Sequence, residues 1–186
     1  MNNLTKRFLV LGIMTLMVMV LLPSQASYAK KRSKKSEATY STIATIKKNM
    51  DEGVDMRIDR PCGLSKKDFV KLLKNCKYDY EGFLEKNAEY IWKMEQKFQN
   101  NCLFFCGIGA LESGWFKCGY YHNYTGMIGC KYLTDKQGIK ATFKNLAKNY
   151  IPRGRTTIKK VGYMYCDGYS WPGQVWSCMK KIVYNK

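Results

Sequence analysis

Residues Asn100–Trp115 read NNCLFFCGIGALESGW, and this stretch decides how the rest of the chain is organised. From Cys102 to Leu111 it is apolar on nearly every side, so a helix here has no face to give to solvent and belongs at the centre of a core. Asn100 and Asn101 supply the polar start that such a helix needs, and Gly114 supplies its stop. The only charged side chain in the stretch is Glu112, which falls in the last turn. A chain carrying 32 Lys and Arg against 14 Asp and Glu thus places one isolated acid at the carboxyl end of its most buried helix.

Outward from this helix, the spacing of apolar residues predicts further helices. In LSKKDFVKLLKN, Ser65 followed by Asp68 reads as a capping start, with Phe69, Val70, Leu72 and Leu73 forming an apolar stripe. A helix over about 81–99 should turn Phe83, Leu84, Ala88, Ile91, Trp92 and Phe98 inward and its Lys and Glu residues outward. GIKATFKNLAKNYI (138–151) returns to helical spacing, stopped by Pro152 and Gly154, and Pro172 suits the first turn of a last helix burying Val175, Cys178, Met179 and Ile182. Segment 114–137, rich in Gly, Tyr, Asn and Thr, reads as loops with a short hairpin. YSTIATIKKNM (40–50) fits either a short strand or an early helix. The fold class is α+β, predominantly α, with a small hairpin or loop lobe facing Glu112.

The N-terminus has a different character. Lys6 and Arg7 precede the uncharged run FLVLGIMTLMVMVLL (8–22), and PSQASYA offers small residues suited to cleavage after Ala29 or Ala26. The run is shorter than the roughly 20 residues that span a bilayer, so an export signal is the expectation and an uncleaved anchor the alternative. Residues 30–55 follow as a basic tether (KKRSKKS) and N-terminal extension, and 56–186 as the main domain, which holds Glu112. Cleavage after Ala29 leaves 30 basic and 14 acidic residues, a net charge of +16. Such a chain attracts polyanions; export points to anionic wall polymers or a membrane surface rather than nucleic acid, and to a secreted or wall-associated location. All eight cysteines lie beyond residue 61, which in an exported chain suggests disulfides. Cys102 and Cys106, one helical turn apart, would strain to bridge each other, so each is expected to pair elsewhere or to remain a core thiol. With no CxxC and a single His122, no metal site is expected.

For Glu112 the position itself is informative. Poor solvation and the negative end of the helix both favour the proton-bearing form, which is what protonation of a glycosidic leaving oxygen requires. The competing reading is a Glu turned outward to pair with Lys117 or Lys131. Downstream, HNYTGM (122–127) offers amide, hydroxyl and aromatic groups beside a glycine that lets a ligand approach, and GYMYCDGYSWP (162–172) offers rings on which a sugar could stack.

Taken together, these residues resemble the glucosaminidase domain of bacterial wall hydrolases, glycoside hydrolase family 73, over roughly Met56 to Ile182. RPCGLSKKDFVKLL is similar to the helix that opens that domain, NNCLFFCGIGALESGW to its core helix with an ESGW end, HNYTGM to its substrate-groove segment, and YMYCDGYSWPGQVWSCMKKI to its closing stretch. The resemblance implies a lysozyme-like fold and cleavage of the β-1,4 bond between N-acetylglucosamine and N-acetylmuramic acid in peptidoglycan, by a monomer without a cofactor. It implies Glu112 as the catalytic acid, Tyr165 across the cleft, and Asn123, Tyr124, Thr125 and Gly126 lining the groove, with Trp115 and Trp171 as flanking sugar contacts. The second carboxylate that some members use has only Asp135 as a candidate in the loop region, with Asp167 behind it. The cysteine content and the YTGM sequence depart from the usual family pattern. A muramidase or lytic transglycosylase on the same fold, and a basic wall-binding module that has lost turnover, are the alternatives; the GLMQ-like segment usual in the transglycosylases is absent.

Overall fold

The computed structural model describes residues 43–166 and 169–185. The expected export segment 1–29, the start of the tether and Asp167 lie outside the described residues. Among the described residues there are seven α-helices: α1 (Ile43–Asn49), α2 (Lys66–Lys74), α3 (Phe83–Phe98), α4 (Cys102–Glu112), α5 (Asp135–Asn145), α6 (Ile158–Tyr165) and α7 (Trp171–Tyr184). The expected central helix is α4. Its residues from Cys102 to Ala110 are all buried, and it packs most extensively against α7. Two glycines permit that closeness. A Cβ at Gly107 would sit 2.5 Å from Met179 Cγ, and one at Gly109 would sit 2.3 Å from the Phe116 ring.

Local chemistry sets the helix ends. Asn101 Oδ1 accepts from the amides of Leu103 (2.9 Å) and Phe104 (3.2 Å), capping α4. Ser65 Oγ accepts from the Asp68 amide at 3.1 Å and donates back to Asp68 Oδ2 at 2.6 Å, so the expected capping start of α2 is present. Asn101→Ala should cost about 1–2 kcal/mol in a urea unfolding titration, because two amides at the start of a buried helix lose their acceptor and no water replaces it. A loss below about 0.3 kcal/mol would show that the cap contributes nothing.

Glu95 departs from expectation. The polar residues of α3 were expected outward, yet Glu95 is fully buried. Its Oε1 accepts from the amides of Cys62 (2.7 Å) and Cys102 (2.9 Å), so a side chain of α3 ties down both the loop before α2 and the first amide of α4. A buried carboxylate is tolerated where backbone donors solvate it in place of water.

The lobe 114–134 also differs. No strand forms there; elsewhere Arg57 and Thr157 make an isolated antiparallel bridge. The chain leaves α4 through three consecutive residues of positive φ, Gly114 (57°), Trp115 (63°) and Phe116 (64°), which turns the Phe116 ring back under Gly109. With so few regular pairings possible in such a turn, the lobe is held by side chains rather than by a ladder. Residues 43–55 form α1 and a 3-10 segment, with Ile46 and Met50 buried against the rest of the core. The helix expected over 138–151 begins earlier, at Asp135. It continues past Asn145 as a π turn (Leu146–Tyr150) and a 3-10 turn that ends at Gly154, φ 76°.

Candidate active site

Glu112 ends α4 at the surface, open to solvent rather than sunk in the core. Its two oxygens have different surroundings. The Trp171 indole Nε1–H donates to Oε1 at 2.6 Å, while Oε2 points to Gly126, where an added Cβ would lie 3.4 Å away. Trp171 can do this because it is the first residue of α7 and is itself buried, wedged edge-on to Phe104 and stacked on Tyr165 at 4.7 Å. One oxygen is therefore fixed by the protein, and the other faces the loop of least bulk.

Tyr165, the last residue of α6, stands next to the acid through its stacking on Trp171. Its hydroxyl donates to the Thr125 carbonyl. Burial, and then the neighbouring Glu112 carboxylate, keep the phenol well above its ordinary value, so it remains a neutral donor. Beside Gly126 and Tyr165 opens a groove of about 500 Å³, continued by Met127, Tyr132, Lys144, Lys148 and Tyr150. Among the described residues no carboxylate lines it. The π turn following α5 presents Lys148 and Tyr150 to it, an instance of a π segment bordering a site.

The other expected site residues divide clearly. Gly126 (φ 67°) meets the acid, but its neighbours build the loop that delivers it. Asn123 Oδ1 accepts from the Met127 amide at 3.0 Å, and its Nδ2 donates to the carbonyls of Met127 (2.7 Å) and Cys130 (3.2 Å). Thr125 is buried, its hydroxyl 2.8 Å from that of Thr142. Tyr124 packs its ring against Phe83 and Phe116. Trp115 stacks on Tyr78 at 4.7 Å. Neither Lys117 nor Lys131 pairs with Glu112; they lie over the rings of Tyr80 and Tyr121.

Asp135 belongs to a separate cluster. Its Oδ1 lies 2.6 Å from His122 Nδ1 and accepts from the Tyr124 hydroxyl at 3.0 Å, and Lys86 Nζ approaches Oδ2 at 3.8 Å. Burial would raise this carboxyl, but hydrogen bonds from His122, Tyr124 and Asn87 outweigh it and hold Asp135 below the usual carboxylate range. Burial and Asp135 together push the Tyr124 phenol up to about 12. A carboxyl lowered in the folded state contributes stability that is present above its unfolded value, about 4, and is lost as pH falls through the folded value. The stability gap between the native chain and Asp135→Asn should therefore be constant near neutrality and shrink below about pH 4. A gap unchanged down to pH 2.5 would remove the ionised cluster as its cause.

Lys144, Lys148, Tyr132 and Tyr150 were not singled out from sequence. Lys144 and Lys148, four residues apart, look like any solvated helix face, and only the groove distinguishes them.

A buried apolar helix that ends in an exposed, indole-anchored Glu, with helices packed around it and a loop lobe across from it, defines a lysozyme-like, predominantly helical fold. S. aureus autolysin E has this fold: its structure matches with a TM-score of 0.59 at 16% identity, covering 78% of this chain and 79% of that one. Its complex with the muropeptide NAM-L-Ala-D-iGlu matches at 0.59 and 15% identity, and a catalytic Glu-to-Ala mutant bound to the disaccharide NAG-NAM matches at 0.58 and 14%; each covers 86% of this chain and 90% of that one. No family model matches the sequence, and no curated protein matches it.

Proposed function

We propose that this protein is an exported peptidoglycan hydrolase, an endo-β-N-acetylglucosaminidase that cleaves the β-1,4 bond between N-acetylglucosamine and N-acetylmuramic acid with Glu112 as general acid. The observation that carries this reading is the asymmetric setting of Glu112. Oε1 is held by Trp171, and Oε2 lies beside Gly126, the residue that connects the acid to the groove, which Glu112 itself does not line. A glycosidic oxygen lying over Gly126 would receive its proton from Oε2. Gly126 allows the sugar backbone to come this near because no side chain stands between it and the acid.

The occupied oxygens of Asp135 argue that it positions Tyr124 and His122 rather than entering the reaction. Tyr165 stands close enough to the acid to feel its charge, with its hydroxyl given to the Thr125 carbonyl, and the substrate's own acetamido group is available to stabilise the oxocarbenium-like centre. Lys144 and Lys148, in a groove with no carboxylate among its described lining residues, favour an anionic ligand, as a glycan substituted with acidic peptides is. The likeness to autolysin E, whose structures hold a muropeptide and NAG-NAM, supports the same substrate class. The apolar N-terminal run and the basic tether support export and retention at an anionic wall or membrane surface.

The test is the identity of the new reducing ends released from purified peptidoglycan. Reducing N-acetylglucosamine is the expected product. Reducing N-acetylmuramic acid would identify a muramidase, an anhydro sugar a transglycosylase, and binding without any new ends a wall-binding module.

A further inference from the structure

All eight cysteines are free thiols in this structure, yet two of them stand apart from the rest. Cys62 Sγ and Cys102 Sγ lie 3.4 Å apart, inside the core, at 5% and 0% exposure. They come from segments 40 residues apart in sequence, and Glu95 aligns them, because one carboxylate oxygen holds both of their amides. Cys102 is also the first residue of α4.

We propose that Cys62 and Cys102 form a disulfide as the chain folds under oxidising conditions, a covalent staple between the loop preceding α2 and the start of the helix that ends in Glu112. The oxidant is a disulfide of the thiol–disulfide exchange class, R–S–S–R, whether small molecule or oxidoreductase. Each cysteine sulfur gives up one proton and one electron, the Sγ–Sγ bond forms, the R–S–S–R bond breaks, and two R–SH leave carrying the two protons. Closing the remaining gap from 3.4 Å to about 2.0 Å needs only small side-chain rotations, since the backbones are already pinned side by side. Burial holds the Cys102 thiol well above the usual thiol range, so the reactive thiolate is scarce once the core has closed. Exchange therefore precedes burial, and the finished bond is shielded from reductants.

A metal is the other use of this cluster, as Cys62, Glu95 and Cys102 offer three donor atoms within 4.8 Å of one another. It is disfavoured by the occupation of Glu95: Oε1 takes two amides, and Oε2 takes the Gln96 side chain at 3.3 Å, with the Cys62 thiol at 3.7 Å. A closed zinc site asks for four free ligands.

The experiment refolds the denatured, reduced chain in a glutathione redox buffer, unfolds it in denaturant containing N-ethylmaleimide to block every remaining thiol, and digests it without reductant. Chymotrypsin is required because it cuts at Leu103–Phe105 and so separates Cys102 from Cys106. The expected result is a peptide linking Cys62 to Cys102 that disappears on reduction, together with a higher urea midpoint for the oxidised protein than for the same protein in reductant. Cys62→Ser should abolish both the linked peptide and that difference in midpoint. Maleimide on both residues, a bond from Cys62 to any other cysteine, or one zinc ion retained per refolded chain would overturn the proposal. None of these outcomes depends on enzymatic activity, so the assignment of Glu112 stands or falls separately.

Discussion

Replacing Glu112 with Gln should lower the rate of reducing-end release from peptidoglycan by about 10²- to 10⁴-fold, the range that a general acid supplies, while leaving the fold intact. The amide has the shape of the carboxyl, and its oxygen can still accept from Trp171 Nε1, so the one contact that anchors residue 112 survives. Because Glu112 faces solvent, unfolding free energy should move by no more than about 0.5 kcal/mol. Binding to walls should persist, since Lys144, Lys148 and the groove rings are untouched. Loss of activity accompanied by a matching loss of stability would point to a structural role, and equal rates for the two proteins would remove Glu112 from the chemistry.

Glu95→Ala should have the opposite signature, costing about 3–5 kcal/mol of stability by stranding the Cys62 and Cys102 amides in the core. Glu95→Gln should cost less, because its single carbonyl oxygen can still take both amides without the charge. The comparison belongs in reductant, so that a cross-link does not mask the difference, and is read from urea midpoints at unchanged slope. A cost below about 1 kcal/mol for the alanine variant would mean that water or a shifted backbone satisfies those amides.

What the sequence made legible was local. The unbroken apolar run of α4, its Asn cap, the Ser65–Asp68 pair and Pro172 at the start of α7 each act within one or two turns, and each is where the pattern put it. Glu112 was legible for the same reason, as one charge at the end of an apolar run. Glu95 was not: on a helix of alternating Lys and Glu, nothing marks one acid as inward-facing, and its role depends on amides from two other segments. The lobe took the loop form of its hairpin-or-loop reading, because Gly, Asn and Tyr signal turns equally well when no ladder follows. There, Asn123 spends its amide on the loop itself and Thr125 its hydroxyl on Thr142 of α5, leaving only the glycine of NYTGM beside the acid. The indole bond to Glu112 spans 59 residues, a separation at which no spacing rule operates.

The two glycines of α4 have a consequence for how such a protein can diversify. With Met179 against Gly107 and Phe116 against Gly109, the helix carrying the acid is locked on both flanks, so almost any enlargement there displaces α7 or the turn behind Glu112. The far wall has no such lock: Lys144, Lys148 and the loop tip at Ile128 are exposed and can be exchanged without disturbing the core. Adaptation to a differently decorated glycan would therefore proceed by rewriting the groove wall around a stationary acid, with mutational tolerance falling steeply from the first to the second across one small cleft.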